Sequence, residues 1–444
     1  MKKIVAFVLS VCMLASLLVA CGGEKKDAGT MAKGNTEAHG EEKIVEISIL
    51  TRWSTDAPRD GVIRDRIDRF QQENPGIKVE TIMINDEKSF TDKLRTGIAT
   101  GDVPSVFQCY GGGTDIEYVK NGVMLDLTPY MESDPEWSTA IPDGNYNNWR
   151  FPGIEGTFGV PVEYGPNSFF YNKALFEQYH LDPPETIQQM IEVGKVFLEN
   201  GIIPMEIGAK EGWRGGHVFN QLFMKMLGDD GVMALANHEM KYTAPEVVEV
   251  FAKMQEMADM GFFGTNILAV DASKEKADFH SGKSAMHIDG DWYLSEATNS
   301  EIADVMGVLP FPYDENHPEY KQHGFGGAFA GLGVSTGMSQ EETDAAVELI
   351  KYLTCEEAFK EYQAAGGVTF PVPLDPPADA NAIVKEYMVS GNDITNFRAD
   401  IQQYDAAPGL VDTARNAIQG LFSGMTPEEV AQQIQNFIDD FEAK

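Results

Sequence analysis

Apolar positions change period several times along this chain, and each change predicts an element. At 44–50 the β-branched run IVEISIL predicts a strand. At 59–73 Val62, Ile63, Ile67 and Phe70 recur at helical spacing, and the pattern stops before Asn74-Pro75-Gly76. A second strand is predicted at 77–84, a second helix at 88–100 closed by Gly101, and a third strand at 103–109 running into Tyr110-Gly111-Gly112-Gly113. Strands alternating with helices predict an α/β layer with a largely parallel sheet. Loops beyond the carboxyl ends of such strands are where ligands sit, and Trp53, Asp56, Tyr110 and Asp115 occupy those loops.

The rest of the chain is organised around 159–173, GVPVEYGPNSFFYNK. Pro161 biases its first half toward extended geometry, and Gly165-Pro166 breaks the backbone before a second apolar run. A strand that breaks at Gly-Pro and restarts is expected where a chain crosses between two lobes. Glu163 and Tyr164 sit at the break, either as a solvated surface turn or as groups delivered into a cleft. Beyond it, helices are predicted at 184–200, 218–227, 245–260, 341–352 and 427–441, and strands at 202–207 and 285–288. Further crossings are expected at 308–310 and 366–373.

The N-terminus departs from this alternation. Lys2 and Lys3 precede an almost wholly apolar run at 4–19, which ends in Leu18-Val19-Ala20-Cys21. Residues 1–20 are expected to be a signal peptide. The sequence around Cys21 resembles the lipobox of bacterial lipoproteins, which implies lipidation of Cys21 and attachment to the outer face of the cytoplasmic membrane; a plain secretory signal is the alternative. Residues 21–43 are small, polar and charged, the composition of a flexible tether. What remains is long enough for two domains at ~100 to 200 residues each.

The formal charge of −35 argues against nucleic acid as a partner and against binding an anionic membrane surface. Cys109 and Cys355 could form one disulfide in an exported protein. A strand end for Cys109 and a helical pattern around Cys355 favour two separate thiols. No cysteine or histidine spacing suits zinc, and no cofactor is expected.

The glycine run 324–333, GFGGAFAGLG, fits neither dinucleotide nor P-loop spacing. Glu163 with Asp289 and Asp291 could form the carboxylate pair of a glycosidase, although carboxylates are abundant here. Tryptophan placement is more informative. Trp53, Trp213 and Trp292 each lie in a predicted loop near Asp56, Arg214 or Asp291. Aromatic faces suit sugar C–H faces, and charged neighbours suit hydroxyls, although each Trp could equally be core.

Several blocks together resemble the extracellular sugar-binding lipoproteins of bacterial ABC importers, the maltose-binding-protein-like family. They are the lipobox, KSFTDKLRTGIATGDVPSVF, GVMLDLTPY, GTFGVPVEYGPNSFFYNKALFEQYHLDPPET, FHSGKSAMHIDGDW and AVELIKYLTCEEAFKEYQAAGGVTFPV. The resemblance implies a two-lobed α/β fold, joined by three crossings and closing on a carbohydrate, with importer permease subunits as partners and no catalysis. By motif position it implies Glu163 as an acidic sugar ligand, Trp213 as an aromatic platform and Trp292 as the Trp of the Gly-x-Trp block. Trp53 and Asp56 match the loop after the first strand, and Tyr110 and Asp115 a loop that contacts ligand. Ile187 departs from the Trp usual after Pro-Pro-x-Thr. A monomer is expected, with lobe one at 44–163 and 311–365 and lobe two at 164–310 and 366–444. An exported carbohydrate-active enzyme, or a binder of a non-sugar solute, stays open.

Overall fold

The computed structural model describes residues 44–443, apart from 152, 367–369, 393 and 395. The expected signal peptide, Cys21 and the expected tether lie outside the described residues.

The first lobe alternates as its periodicity predicts. β1 (Val45–Thr51) leads to α1 (Pro58–Glu73), β2 (Ile77–Met83), α2 (Glu87–Thr100), β3 (Val106–Cys109) and α3 (Gly112–Lys120). Pro58 opens α1, where its missing N–H would be unpaired anyway. The Asp86 carboxylate caps α2 by accepting from Ser89 N at 2.8 Å, and Gly101 closes it in the left-handed region. β1 pairs in parallel with β2 and β3. Ile47 and Ile49 pack on Ile63, Ile67 and Phe70 of α1, while Leu50 packs with Phe90 and Leu94 of α2. Both faces of the sheet are therefore covered, the condition for parallel strands.

β4 (Val160–Pro166) ends the first lobe's share of the central stretch, and β5 (Ser168–Asn172) follows after Asn167 as the middle strand of a second sheet. Its antiparallel neighbours are β6 (Met286–Asp289) and β7 (Met306–Leu309). The expected strand at 202–207 is absent. Ile203 makes one bridge to Ser284, and Pro204 has no N–H to extend a ladder. Helices supply most of the second lobe: α4 (Ile187–Glu199), with a Thr186–Gln189 capping box, α5 (Gly212–Met226) and α6 (Pro245–Asp259). Phe219 of α5 stacks on Phe251 of α6, with ring centroids 4.5 Å apart.

The glycine run forms neither loop nor nucleotide cradle. It is a twelve-residue strand, β8 (His323–Val334), antiparallel to β3 and β4. The first sheet therefore runs β2-β1-β3-β8-β4, parallel on one side and antiparallel on the other. β9 (Asn396–Arg398) joins the beginning of β8. Gly165 and Gly327 stand opposite one another with φ of +155° and +114°, conformations that side chains disfavour. Asn167 N donates to Phe325 O at 2.9 Å, so β8 runs beside the β4-to-β5 crossing.

Phe311 and Phe325 pack in the second lobe's core with Phe169. Phe370 and Val372 pack in the first lobe's core with Phe359, and 370–373 form no strand. Three more helices matter below: α7 (Gln340–Thr354), α8 (Leu410–Leu421) and α9 (Pro427–Glu442). Cys109 and Cys355 are free thiols; Trp149 Nε1 donates to Cys109 Sγ at 3.1 Å. Among the described residues no helix is long and apolar enough to cross a membrane.

Candidate functional site

The strand ends converge on a cavity of about 330 Å³ between the lobes. Where β1 ends, Arg52 N donates to Gln108 Oε1 at 2.9 Å, and Arg52 Nε donates to Asn85 O at 2.9 Å. Arg64 Nη1 donates to the carbonyls of Trp53 and Thr55, both at 2.9 Å, which fixes the loop after β1. Glu163 enters from a register shift in β4. Its Oε1 accepts from Arg59 Nη2 at 3.1 Å and from Trp53 Nε1 at 3.3 Å.

The second lobe supplies most of the aromatic wall. Trp213 lies in the first turn of α5, and its Nε1 donates to Glu211 Oε2 at 2.7 Å. One turn on, the His217 ring meets Trp213 edge-on, with centroids 4.9 Å apart. Trp292 follows β6, and Phe329 of β8 stands perpendicular to it at 4.8 Å. Trp53, Tyr110, Glu163, Trp213 and Trp292 thus line one cavity, five of the residues expected from sequence.

The other five lie elsewhere. Asp56 is exposed at its loop tip; Asp60, one turn on, lines the cavity instead. Asp115 is buried under α3, where it accepts from Tyr110 N at 2.8 Å and from Gly111 N. Burial pushes its carboxyl up to about 7, against those two hydrogen bonds. Tyr164 packs toward Phe107 and Trp149, since neighbours on a strand face opposite sides. Arg214 is fully buried behind Trp213. Its Nε donates to Glu275 Oε2 at 2.8 Å, its Nη2 to Ile288 O at 2.6 Å, and its Nη1 lies 3.4 Å from Asp289 Oδ1. Burial works against the charge of Asp289, but Arg214 and His287 hold its carboxyl below the usual range. Asp291 is buried away from the cavity, where burial and the nearby Glu163 hold its carboxyl well above the usual range. Two of the three carboxylates of the glycosidase reading are therefore internal partners, Glu163 of Arg59 and Asp289 of Arg214.

Sequence reasoning missed Arg59, Glu211, His217, Phe329 and Arg415, all of which line the cavity. Helical spacing from Trp213 could have found His217. Arg415 carries no local signal, because its partners come from other segments: Nη1 donates to Glu87 Oε1 at 3.1 Å and Nη2 to Asp400 Oδ2 at 2.8 Å. Lys210 faces Asp271 at 3.6 Å, and Lys276 pairs with Glu296. Among the described residues no group of His, Cys, Asp or Glu is arranged to hold a metal ion.

Comparison with known proteins agrees with this architecture. Residues 65–387 match the bacterial extracellular solute-binding protein family. The chain is 21% identical over 367 residues to the multiple sugar-binding protein of Streptococcus mutans, covering 79% of this chain and 78% of that one. It is 24% identical over 193 residues to the melibiose/raffinose/stachyose-binding protein of Bacillus subtilis, covering 44% and 40% of the two chains. Among solved structures, a chitin oligosaccharide binding protein superposes with a TM-score of 0.80 at 24% identity, over 90% of this chain and 100% of that one. RafE, a solute-binding protein in complex with raffinose, superposes with a TM-score of 0.72 at 17% identity, over 90% and 100%. With the two sheets, the cleft between them and the match over most of its length, this chain belongs to the bacterial extracellular solute-binding proteins and has their two-lobed α/β fold.

Proposed function

We propose that the protein captures a carbohydrate, an oligosaccharide, in the interlobe cleft and delivers it to the permease subunits of an ABC importer without chemical change. The carrying observation is the pairing of Trp213 and Trp292 with polar groups in one cavity of about 330 Å³. Small-molecule sites combine apolar walls with a few placed polar groups, and indole faces match the C–H faces of sugars. The names of the relatives point the same way: one is a multiple sugar-binding protein, and others are named for melibiose, raffinose and stachyose, for chitin oligosaccharide or for a complex with raffinose.

The finer reading concerns attachment and boundaries. Cys21 carries acyl chains that hold a monomeric body at the outer face of the cytoplasmic membrane, with 22–43 as spacer. Lobe one runs over 44–165 and 326–374, and lobe two over 166–325 and 380–443. Packing of Phe311 and Phe325 with Phe169, and of Phe370 with Phe359, supports this revision of the expected limits.

A thermal-shift screen over raffinose, stachyose, xylo-oligosaccharides and chito-oligosaccharides tests the reading. A ligand that binds only the folded state raises the apparent melting temperature. At least one glycan is expected to do so and to be recovered intact. No shift with any sugar, or release of shortened products, would overturn it.

A further inference from the structure

His217 is a buried polar residue whose Nδ1 has no hydrogen-bond partner among the described residues. It is 5% exposed, and its Nδ1 is enclosed without an acceptor or donor among the described residues. Yet it lines the cavity. Its ring is boxed by Trp213 at 4.9 Å, Phe325 at 4.7 Å, Trp292 at 6.0 Å and Phe329 at 6.4 Å between centroids. These neighbours come from α5, β8 and the turn after β6, so three separate segments converge on one imidazole. Leaving a buried polar group unpaired is unfavourable, and a hydrogen bond from a bound hydroxyl to the ring would offset that cost.

The charge state narrows the partner. Burial pulls the His217 pKa down to about 3, so the ring is neutral where proteins work. A neutral imidazole carries one donor and one acceptor, matching a hydroxyl, which also does both. Several cations around the cavity are already answered by protein carboxylates: Arg59 by Glu163, Lys276 by Glu296, Arg415 by Glu87 and Asp400. Behind the box, Arg214 is held by Glu275 and Asp289. None of these is free for an anionic substituent, whereas Arg52, which also lines the cavity, donates to the Asn85 carbonyl rather than to a carboxylate.

We infer that His217 is a specificity-determining residue, the polar floor of an aromatic box that hydrogen-bonds a sugar hydroxyl. This rests on the carbohydrate reading above. The test is calorimetric titration of the mature protein with raffinose, xylotriose and chitotriose, in the parent and in two variants. His217→Phe keeps a ring and removes both nitrogens; His217→Gln keeps a donor and an acceptor. The parent is expected to bind at least one probe. His217→Phe is expected to lose about tenfold or more in affinity, and His217→Gln to lose less.

Monodeoxy analogues of the bound probe give a measurement that does not depend on comparing melts. One deoxygenation should weaken binding to the parent and leave His217→Gln and His217→Phe progressively less affected. If the parent binds no sugar, the carbohydrate reading falls, and this inference with it. If the parent binds while His217→Phe binds equally well, or no deoxygenation distinguishes parent from variant, only the assignment of His217 is overturned.

Discussion

Arg415 on α8 and Glu87 at the start of α2 meet across the space between the lobes, Nη1 to Oε1 at 3.1 Å, although 328 residues separate them. Arg415 is anchored in its own lobe by Asp400 at 2.8 Å, so Glu87 is the half of this contact that closure makes or breaks. A more exposed pair, Arg95 with Asp412 at 2.6 Å, bridges the same two helices. Glu87→Gln is expected to move the ligand-free lobes apart while changing stability by less than about 1 kcal/mol, since Arg415 keeps Asp400. Dipolar spectroscopy with one spin label per lobe reads this directly. An unchanged distance distribution would mean that the contact holds nothing.

The two classes of tryptophan should separate on mutation. Trp213 is half-buried against the cavity, whereas Trp53 is 3% exposed and packs in the first lobe's core. Trp213→Ala should cost about 2 kcal/mol or more in sugar binding with little change in the melt. Trp53→Ala should cost about 3 kcal/mol or more in stability as well, because it leaves a cavity. Titration beside thermal melts checks both; equal destabilisation by the two would contradict the distinction.

Removing Arg214 should be severe. Arg214→Met leaves Glu275 and Asp289 buried with His287 as their remaining partner, a loss of about 3 kcal/mol or more. Denaturant unfolding measures it, and a loss under about 1 kcal/mol would show that the network relaxes.

Asp115 links folding to pH. Its native carboxyl titrates near about 7, against an ordinary value of 3.8, because it is buried. Between those values the folded state holds a proton that the unfolded chain has released. Its contribution to stability is therefore full below the ordinary value and is lost as pH rises toward 7. Asp115→Asn removes that titration. The variant's stability should fall less steeply than the parent's between pH 4 and about 7, measured by urea unfolding at fixed ionic strength. Parallel curves would refute the linkage.

Attachment is tested apart from the fold. Cys21→Ser should move the protein from the membrane fraction to the medium, because burial of acyl chains at about 0.8 kcal/mol per CH₂ supplies the anchoring. Unchanged partition would point to a different anchor.

Much of the first lobe was legible in the order of residues. α1, α2 and the strands beside them are set by helical and β-branched periodicity, by Pro58 and by Gly101, all signals that act within a few residues. The Trp-bearing loops after β1 and β6 were legible too, and the motif blocks carried the two-lobed fold. The glycine strand was not. Seen locally, 324–333 is a loop, and pairing with β3 and β4 makes it a strand, because a ladder's hydrogen bonds come from other segments. The same physics divides the site. A tryptophan shows its apolar area wherever it stands. Whether Arg214 faces the ligand or a buried Glu275, and what surrounds His217, are decided by groups tens or hundreds of residues away. Sequence alone determined the strongly periodic elements of the first lobe and which residue types reach their ends. Tertiary structure decided which charges neutralise one another, because burying a charge is tolerated only beside its partner, and that partner is chosen by packing.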